Sequence, residues 1–175
     1  LIQIDPRRAS EAAELVADLL RRALEEQRDE VPLADEWRFV SRYLEVEQMR
    51  FGERLVLNAD LPPEVQAERV PSFALQTLVE NAVQHGAAPR VAPTEIAITI
   101  QRSGTRLVMS VLNTGDAAAV NAPPAEGMGT APGLARLRDR LAVLYGGQAA
   151  LVTRPVATGG YEAVLTVPRN GTGDA

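Results

Sequence analysis

Cysteine and lysine are absent from this chain of 175 residues, and histidine occurs once, as His85. Without cysteine there are no disulfides, thiolate metal sites or thiol nucleophiles, a composition that fits a reducing cytoplasm. All eighteen basic residues are arginine, which excludes the phosphate-loop lysine, the strand lysine of the protein kinases and Schiff-base chemistry together. A single histidine removes multi-histidine metal sites and leaves any Ser-His arrangement dependent on residue 85. Aromatic residues make up 4% of the chain and the net charge is −5. Neither a base-stacking surface nor a basic footprint is there, so no nucleic-acid partner is expected. No run reaches the roughly 18 to 20 apolar residues of a membrane span, and the N-terminus lacks a charged-then-apolar leader.

What is there is aliphatic: 46% of residues are hydrophobic and 23% charged, enough for one core, or for one domain with a helical appendage. Asp5-Pro6 reads as a helix N-cap with proline at the first helical position, and Ala12, Leu15, Val16, Leu19 and Ala23 continue at helical spacing. A second helix opens at Pro32. It takes Asp35 and Glu36 into its first turn, where they suit the macrodipole, carries Trp37, Val40 and Leu44 on one stripe, and stops at Gly52. These two helices are expected to form an appendage rather than core.

Beyond Gly52 the texture changes to α/β. Residues 54–59 alternate weakly, Leu61-Pro62-Pro63 breaks them, and Pro71 introduces another helix. Residues 95–100 and 107–111 alternate about Ser103-Gly104, a hairpin pattern. The Ala-, Pro- and Gly-rich stretch from Gly115 to Pro132 is too long for an ordinary connection and reads as a lid or an irregular segment. A helix from Gly133 to Tyr145 and strands over 149–153 and 161–167 close the pattern.

Chemistry concentrates in Leu75 to Gly86. At about 100° per residue, Leu75, Leu78, Val79 and Ala82 share one face while Thr77, Asn81 and Gln84 gather on another. An asparagine held there can offer its amide oxygen to Mg²⁺, which takes one or two protein ligands beside nucleotide phosphates. An amphipathic helix with a solvated polar side accounts for the same spacing. Gly129-Thr130-Ala131-Pro132-Gly133 suits a loop turning into a helix N-terminus, where free N–H groups hold phosphate, or equally a plain capped loop. A dinucleotide fingerprint fits poorly, since Gly127-Met128-Gly129 meets Pro132 where a third glycine is needed.

Four motifs in order carry a resemblance. Tyr43-Leu44-Glu45-Val46-Glu47-Gln48-Met49-Arg50-Phe51-Gly52 is similar to the characteristic stretch of the LytS-like sensor histidine kinases, within the gyrase, Hsp90, histidine kinase and MutL superfamily. Pro71 to Gly86 resembles their N box, Val111 to Gly115 the first glycine box, and Gly129 to Leu141 the second. The resemblance covers nearly the whole chain. It implies a Bergerat ATP-binding fold: an α+β two-layer sandwich with a mixed sheet of about five strands and helices on one face. Residues 1–51 would be the helical end of the dimerisation and phosphoacceptor region with its linker helix, and residues 52–175 the ATP-binding domain.

The resemblance further implies that Asn81 binds Mg²⁺, that His85 lies against the nucleotide, and that Asn113 meets the adenine amino group. Gly115 allows close backbone approach, Gln84 and Leu134 border the nucleotide, and the backbone at Gly129, Thr130 and Gly133 wraps the phosphates beneath an Asp116 to Met128 lid. Glu80 is carried as a catalytic, acceptor-orienting candidate. Four departures stand out: Asn113-Thr114 for Asp-Asn, Gln84 for a usual lysine, Ala131 for a glycine, and Gly159-Gly160-Tyr161 for Gly-Thr.

Thr77 occupies the position where ATP-hydrolysing members carry a water-activating Glu; a threonine cannot act as that base, which favours a kinase. The reading is the catalytic part of a histidine kinase using ATP and Mg²⁺ to phosphorylate a His upstream of the chain. A response regulator, a homodimer through upstream helices, and a cytoplasmic location beneath an inner-membrane anchor are implied with it. A non-catalytic nucleotide-dependent binding module and an anti-sigma-type serine kinase are the competing readings.

Overall fold

Alternation of aliphatic and polar residues drives the central hairpin. In a computed structural model, which describes residues 29–88, 91–114, 132–156 and 159–169, β4 (Thr94–Ser103) and β5 (Arg106–Thr114) pair antiparallel about the predicted turn. Thr94, Ile96, Ile98 and Ile100 point inward from β4, and Leu107, Met109, Val111 and Asn113 from β5, as a period of two requires. Around the hairpin stand β2 (Leu55–Ala59), parallel to β4, and β7 (Gly160–Pro168) and β6 (Ala150–Pro155), both antiparallel, giving the order β2-β4-β5-β7-β6. This is the mixed five-stranded α+β sheet expected.

The helices α1 (Leu33–Phe51), α2 (Ala74–Ala82) and α3 (Pro132–Tyr145) cover the inward face. α2 lies centrally and is nearly all buried, with Ala74, Leu75, Leu78, Val79 and Ala82 in the core, and α3 adds Leu134, Leu137 and Leu141. Each buried leucine contributes about 1.5 to 3 kcal/mol of transfer free energy.

α1 departs from the sequence expectation. Leu33, Val40, Leu44 and Phe51 belong to the same core cluster as the sheet, so this helix is core and not appendage; an apolar stripe does not say what it packs against, and the buried side here also carries Glu36 and Glu47. Its end is as read: Gly52 adopts φ 59°, a left-handed stop. Two three-residue strands were not foreseen, β1 (Glu30–Pro32) and β3 (Arg69–Pro71), which pair antiparallel and join the starts of α1 and α2. The expected first helix at Pro6 to Ala23 and the lid stretch from Gly115 to Ala131 lie outside the described residues. Among the described residues no helix is long and apolar enough to cross a membrane.

Candidate functional site

The helix carrying Asn81 begins under constraint. Pro71 closes β3, Ser72 donates its N–H to the Asp29 carbonyl (3.3 Å), and Phe73 enters the left-handed region at φ 63°, the one non-glycine residue to do so among those described. Such a conformation costs of order 1 to 3 kcal/mol for a bulky side chain and persists only where its surroundings fix it. Here they do. The Thr77 N–H and hydroxyl both donate to the Phe73 carbonyl (2.9 and 2.6 Å), and the Phe73 N–H donates to the Glu36 carboxylate of α1 (2.7 Å). From α3, Arg140 donates to the carbonyl and hydroxyl of Ser72 and to the Asp29 carbonyl, each at 3.3 Å. Tyr145, on the same helix, donates to the Glu30 carboxylate, and burial together with that neighbouring carboxylate pushes its phenol above the ordinary range.

Two turns on, Asn81 sits in the last turn of α2, 8% exposed. Its Oδ1 is shielded from solvent and has no hydrogen-bond partner among the described residues. Leaving a buried amide oxygen unpaired costs about 1 to 3 kcal/mol, so such a group calls for a partner beyond the described residues. A hard cation fits: Mg²⁺ prefers oxygen donors and takes one or two from protein when phosphates supply others. Among the described residues no group of three or more His, Cys, Asp or Glu could hold a metal, so a cation at Asn81 would depend on ligand oxygens. Beside it, Glu80 is half-buried and accepts from Gln76 Nε2 (2.7 Å).

After Asn81 the helix changes pitch. Val83–Ala87 forms a π turn, closed by the Ala88 N–H to the Val83 carbonyl at 2.9 Å. Within this wider turn Gln84 is exposed and His85 half-buried. Gly86 is pressed onto the sheet, where a Cβ would come within 2.7 Å of Asn113 Cβ, Cγ and Nδ2. Only glycine permits that approach. Asn113, 4% exposed, stands on the inward face of β5 between Ile96 of β4 and Tyr161 of β7.

α3 reaches the same place. A Cβ on Gly133 would lie 3.2 Å from Thr77 Cγ2, and Leu134 is fully buried. The structure therefore joins three separate motifs at two points, Gly86 against Asn113 and Gly133 against Thr77, one helical turn before Asn81. Gly115, Gly129 and Thr130, with the 116–128 lid, lie outside the described residues. Of the three arginines of α3, two have structural partners, Arg140 as above and Arg138 on Thr153 Oγ1 (3.3 Å), while Arg136 is exposed.

Several neighbours escaped the sequence reading. Thr94, at the start of β4, has a buried hydroxyl without a partner among the described residues; extending the alternation of 96, 98 and 100 back by two would have marked it as inward. Tyr161 stands directly across from Asn113. Glu36 was assigned to its own helix dipole, and the structure turns it to α2 instead.

A family model described as "Histidine kinase" matches residues 1–55. The chain is 32% identical over 148 residues to the sensor histidine kinase BtsS of Escherichia coli strain K12, covering 83% of this chain and 26% of that protein. It is 34% identical over 155 residues to the sensor protein LytS of Streptococcus agalactiae serotype V, again covering 83% and 26%. The chain thus spans about a quarter of the length of these relatives. In structure it is similar to the catalytic domain of histidine kinase ThkA, nucleotide free, with TM-score 0.53, 18% identity, and coverage of 80% of this chain and 94% of that one. ThkA in complex with response regulator protein TrrA gives TM-score 0.50 at 17% identity, covering 92% and 49%.

Proposed function

The chain belongs to the LytS-like sensor histidine kinases and has the catalytic-domain fold of that family, and on that premise we propose that it binds Mg²⁺-ATP and transfers the γ-phosphoryl group to a histidine on a helix upstream of residue 1. The observation that carries this reading is the buried Oδ1 of Asn81, without a partner among the described residues, on a helix whose end is packed against Asn113 at Gly86.

Each residue has a part in that reaction. Asn113 holds the adenine, its amide oxygen accepting from the exocyclic amine. His85 and Leu134 border the nucleotide, Gln84 lies at its edge, and the backbone at Gly115, Gly129, Thr130 and Gly133 lines the phosphates. Asn81 Oδ1 holds the Mg²⁺, which when bound offsets charge on the phosphate oxygens during transfer. Glu80, fixed by Gln76, orients the incoming imidazole. The bond between the γ-phosphorus and its bridging oxygen breaks, a P–N bond forms at the imidazole, and ADP leaves. No strong base is required, because neutral imidazole presents a lone pair near physiological pH. Thr77 is consistent with this chemistry, since its hydroxyl is committed to the Phe73 carbonyl and activates no water. The sole histidine, His85, lies just past the Mg²⁺-binding helix rather than standing on a presented one, so the acceptor is a different residue.

We further propose that the phosphoryl group passes on to a response regulator, as the pairing of ThkA with TrrA supports, and that the parent protein is a homodimer through upstream helices, anchored in the membrane with this part on the cytoplasmic side. The test supplies a peptide or protein carrying the upstream helix and tracks radiolabel from ATP. Acid-labile label on its histidine is the expected result. Mg²⁺-dependent binding without transfer means a non-catalytic module, and acid-stable label means a serine kinase.

A further inference from the structure

We propose that Glu36 on α1 is a positioning residue for the Mg²⁺-binding helix, so that the placement of Asn81 depends on where α1 sits; the consequence for nucleotide rests on the function proposed above.

The N-terminus of α2 lacks a cap of its own. Phe73 at the N-cap has no side-chain oxygen to offer and makes no side-chain cap hydrogen bond, although the first N–H groups of any helix need acceptors. The acceptors come from another helix. Glu36, 6% exposed, takes the Phe73 N–H on Oε1 at 2.7 Å and the Gln76 N–H on Oε2 at 3.4 Å. A carboxylate at the positive end of a helix, bonded to its free N–H groups and screened from water, is the strong form of a cap. It also holds Phe73 at its unfavourable φ, because the N–H it accepts is that of the strained residue.

The connection continues along α2. Gln76, whose N–H is held by Glu36, is 4% exposed and donates from Nε2 to Glu80, the residue before Asn81. One helix thus carries an unbroken hydrogen-bonded path from the α1 carboxylate to the proposed site, two turns away. The segment that bears Glu36 is fixed at the same point by other means: β1 pairs with β3 immediately before α2, and Arg140 joins Asp29 to Ser72. A displacement of α1 therefore has no slack to absorb it before it reaches α2. Of the neighbouring charges, Arg140 binds the Ser72 oxygens and Arg69 the Glu30 carbonyl and carboxylate.

The experiment uses the whole chain with Glu36→Ala, Glu36→Gln and, as a control of matched location, Val40→Ala, a fully buried core position of α1. Two readouts are taken: affinity for a non-hydrolysable ATP analogue with and without Mg²⁺, and amide exchange of residues 79–83 relative to β5. Glu36→Ala is expected to weaken the Mg²⁺-dependent part of binding about tenfold, the size of one lost buried charge-assisted hydrogen bond, and to speed exchange at residues 79–83. Glu36→Gln, which keeps one acceptor oxygen, restores part of both. Val40→Ala lowers the melting temperature and moves neither. If Glu36→Ala behaves like Val40→Ala in both readouts, Glu36 only holds the fold and the proposal is overturned. Should the unaltered chain bind no nucleotide, the proposed function fails, and the exchange readout alone decides for or against Glu36.

Discussion

The two ends of the sheet treat buried polar atoms in opposite ways. At the β4–β5 turn end, the buried carboxylate of Glu68 receives Nε of both Arg102 (2.8 Å) and Arg169 (2.9 Å) on Oε1. At the other end, around Asn113, the buried oxygens of Asn81 and Thr94 have no partner among the described residues. The same chain, and in the case of β4 the same strand, satisfies one end and leaves the other open. Polar groups placed for stability are paired at once, because an unpaired one costs more than the pair gains. On the function proposed above, the oxygens without a partner among the described residues are completed by the ligand.

The comparison can be broken by disturbing each end separately. Glu68→Ala is expected to have the largest effect on folding, about 2 kcal/mol by urea unfolding, since it strips two charge-assisted hydrogen bonds from one carboxylate; nucleotide affinity should stay as it was. Gly86→Ala acts at the other end. Its new Cβ meets Asn113 at 2.7 Å, and the forced shift should weaken ATP binding about tenfold, or roughly 1.4 kcal/mol, in calorimetric titration, with a smaller change in unfolding midpoint. If both variants lost stability and binding in equal proportion, the division between the ends would not hold.

The smallest effect belongs to the outward face. Glu162 accepts from the Ser110 hydroxyl (2.7 Å) and from Arg154 (2.8 Å), and these partners, the Ser110 bond foremost, hold its carboxyl below the ordinary range. A lowered folded-state value means the stabilisation is complete above the unfolded value of about 4.3 and disappears as pH falls through the folded one. Glu162→Gln should therefore cost about 0.5 kcal/mol at pH 7 and nothing once the medium is acid enough to protonate the native carboxyl, a difference that unfolding curves across that range resolve.

Much of the fold and part of the site were legible in the sequence where the signal is local. The hairpin of β4 and β5 comes from strict alternation, and Asn81 shares a face with Thr77 because four residues make about one helical turn. The helix expected over 133–145 is present as α3, with Leu134, Leu137 and Leu141 buried. The features that stayed hidden are set by contacts across the chain. Val31-Pro32 and Val70-Pro71 are each too short to read as strands and become so only by pairing with one another. Glu36 looked like a first-turn acid on its own helix, whereas the N–H groups it accepts are some forty residues away, at the start of α2. Nothing in Val83 to Ala87 announces a π turn, which the side-chain pattern alone does not distinguish from another α-helical turn.

In the proposed function, Asn81 Oδ1 holds a cation that arrives with nucleotide. Titrating the chain with ATP in the presence and absence of Mg²⁺, for the natural sequence and for Asn81→Ala, addresses it most directly. Mg²⁺ is expected to strengthen binding in the natural chain and to have no effect in Asn81→Ala, whose melting temperature stays within a few degrees of the parent because its Oδ1 gives up no partner among the described residues. An undiminished Mg²⁺ effect in Asn81→Ala would contradict it.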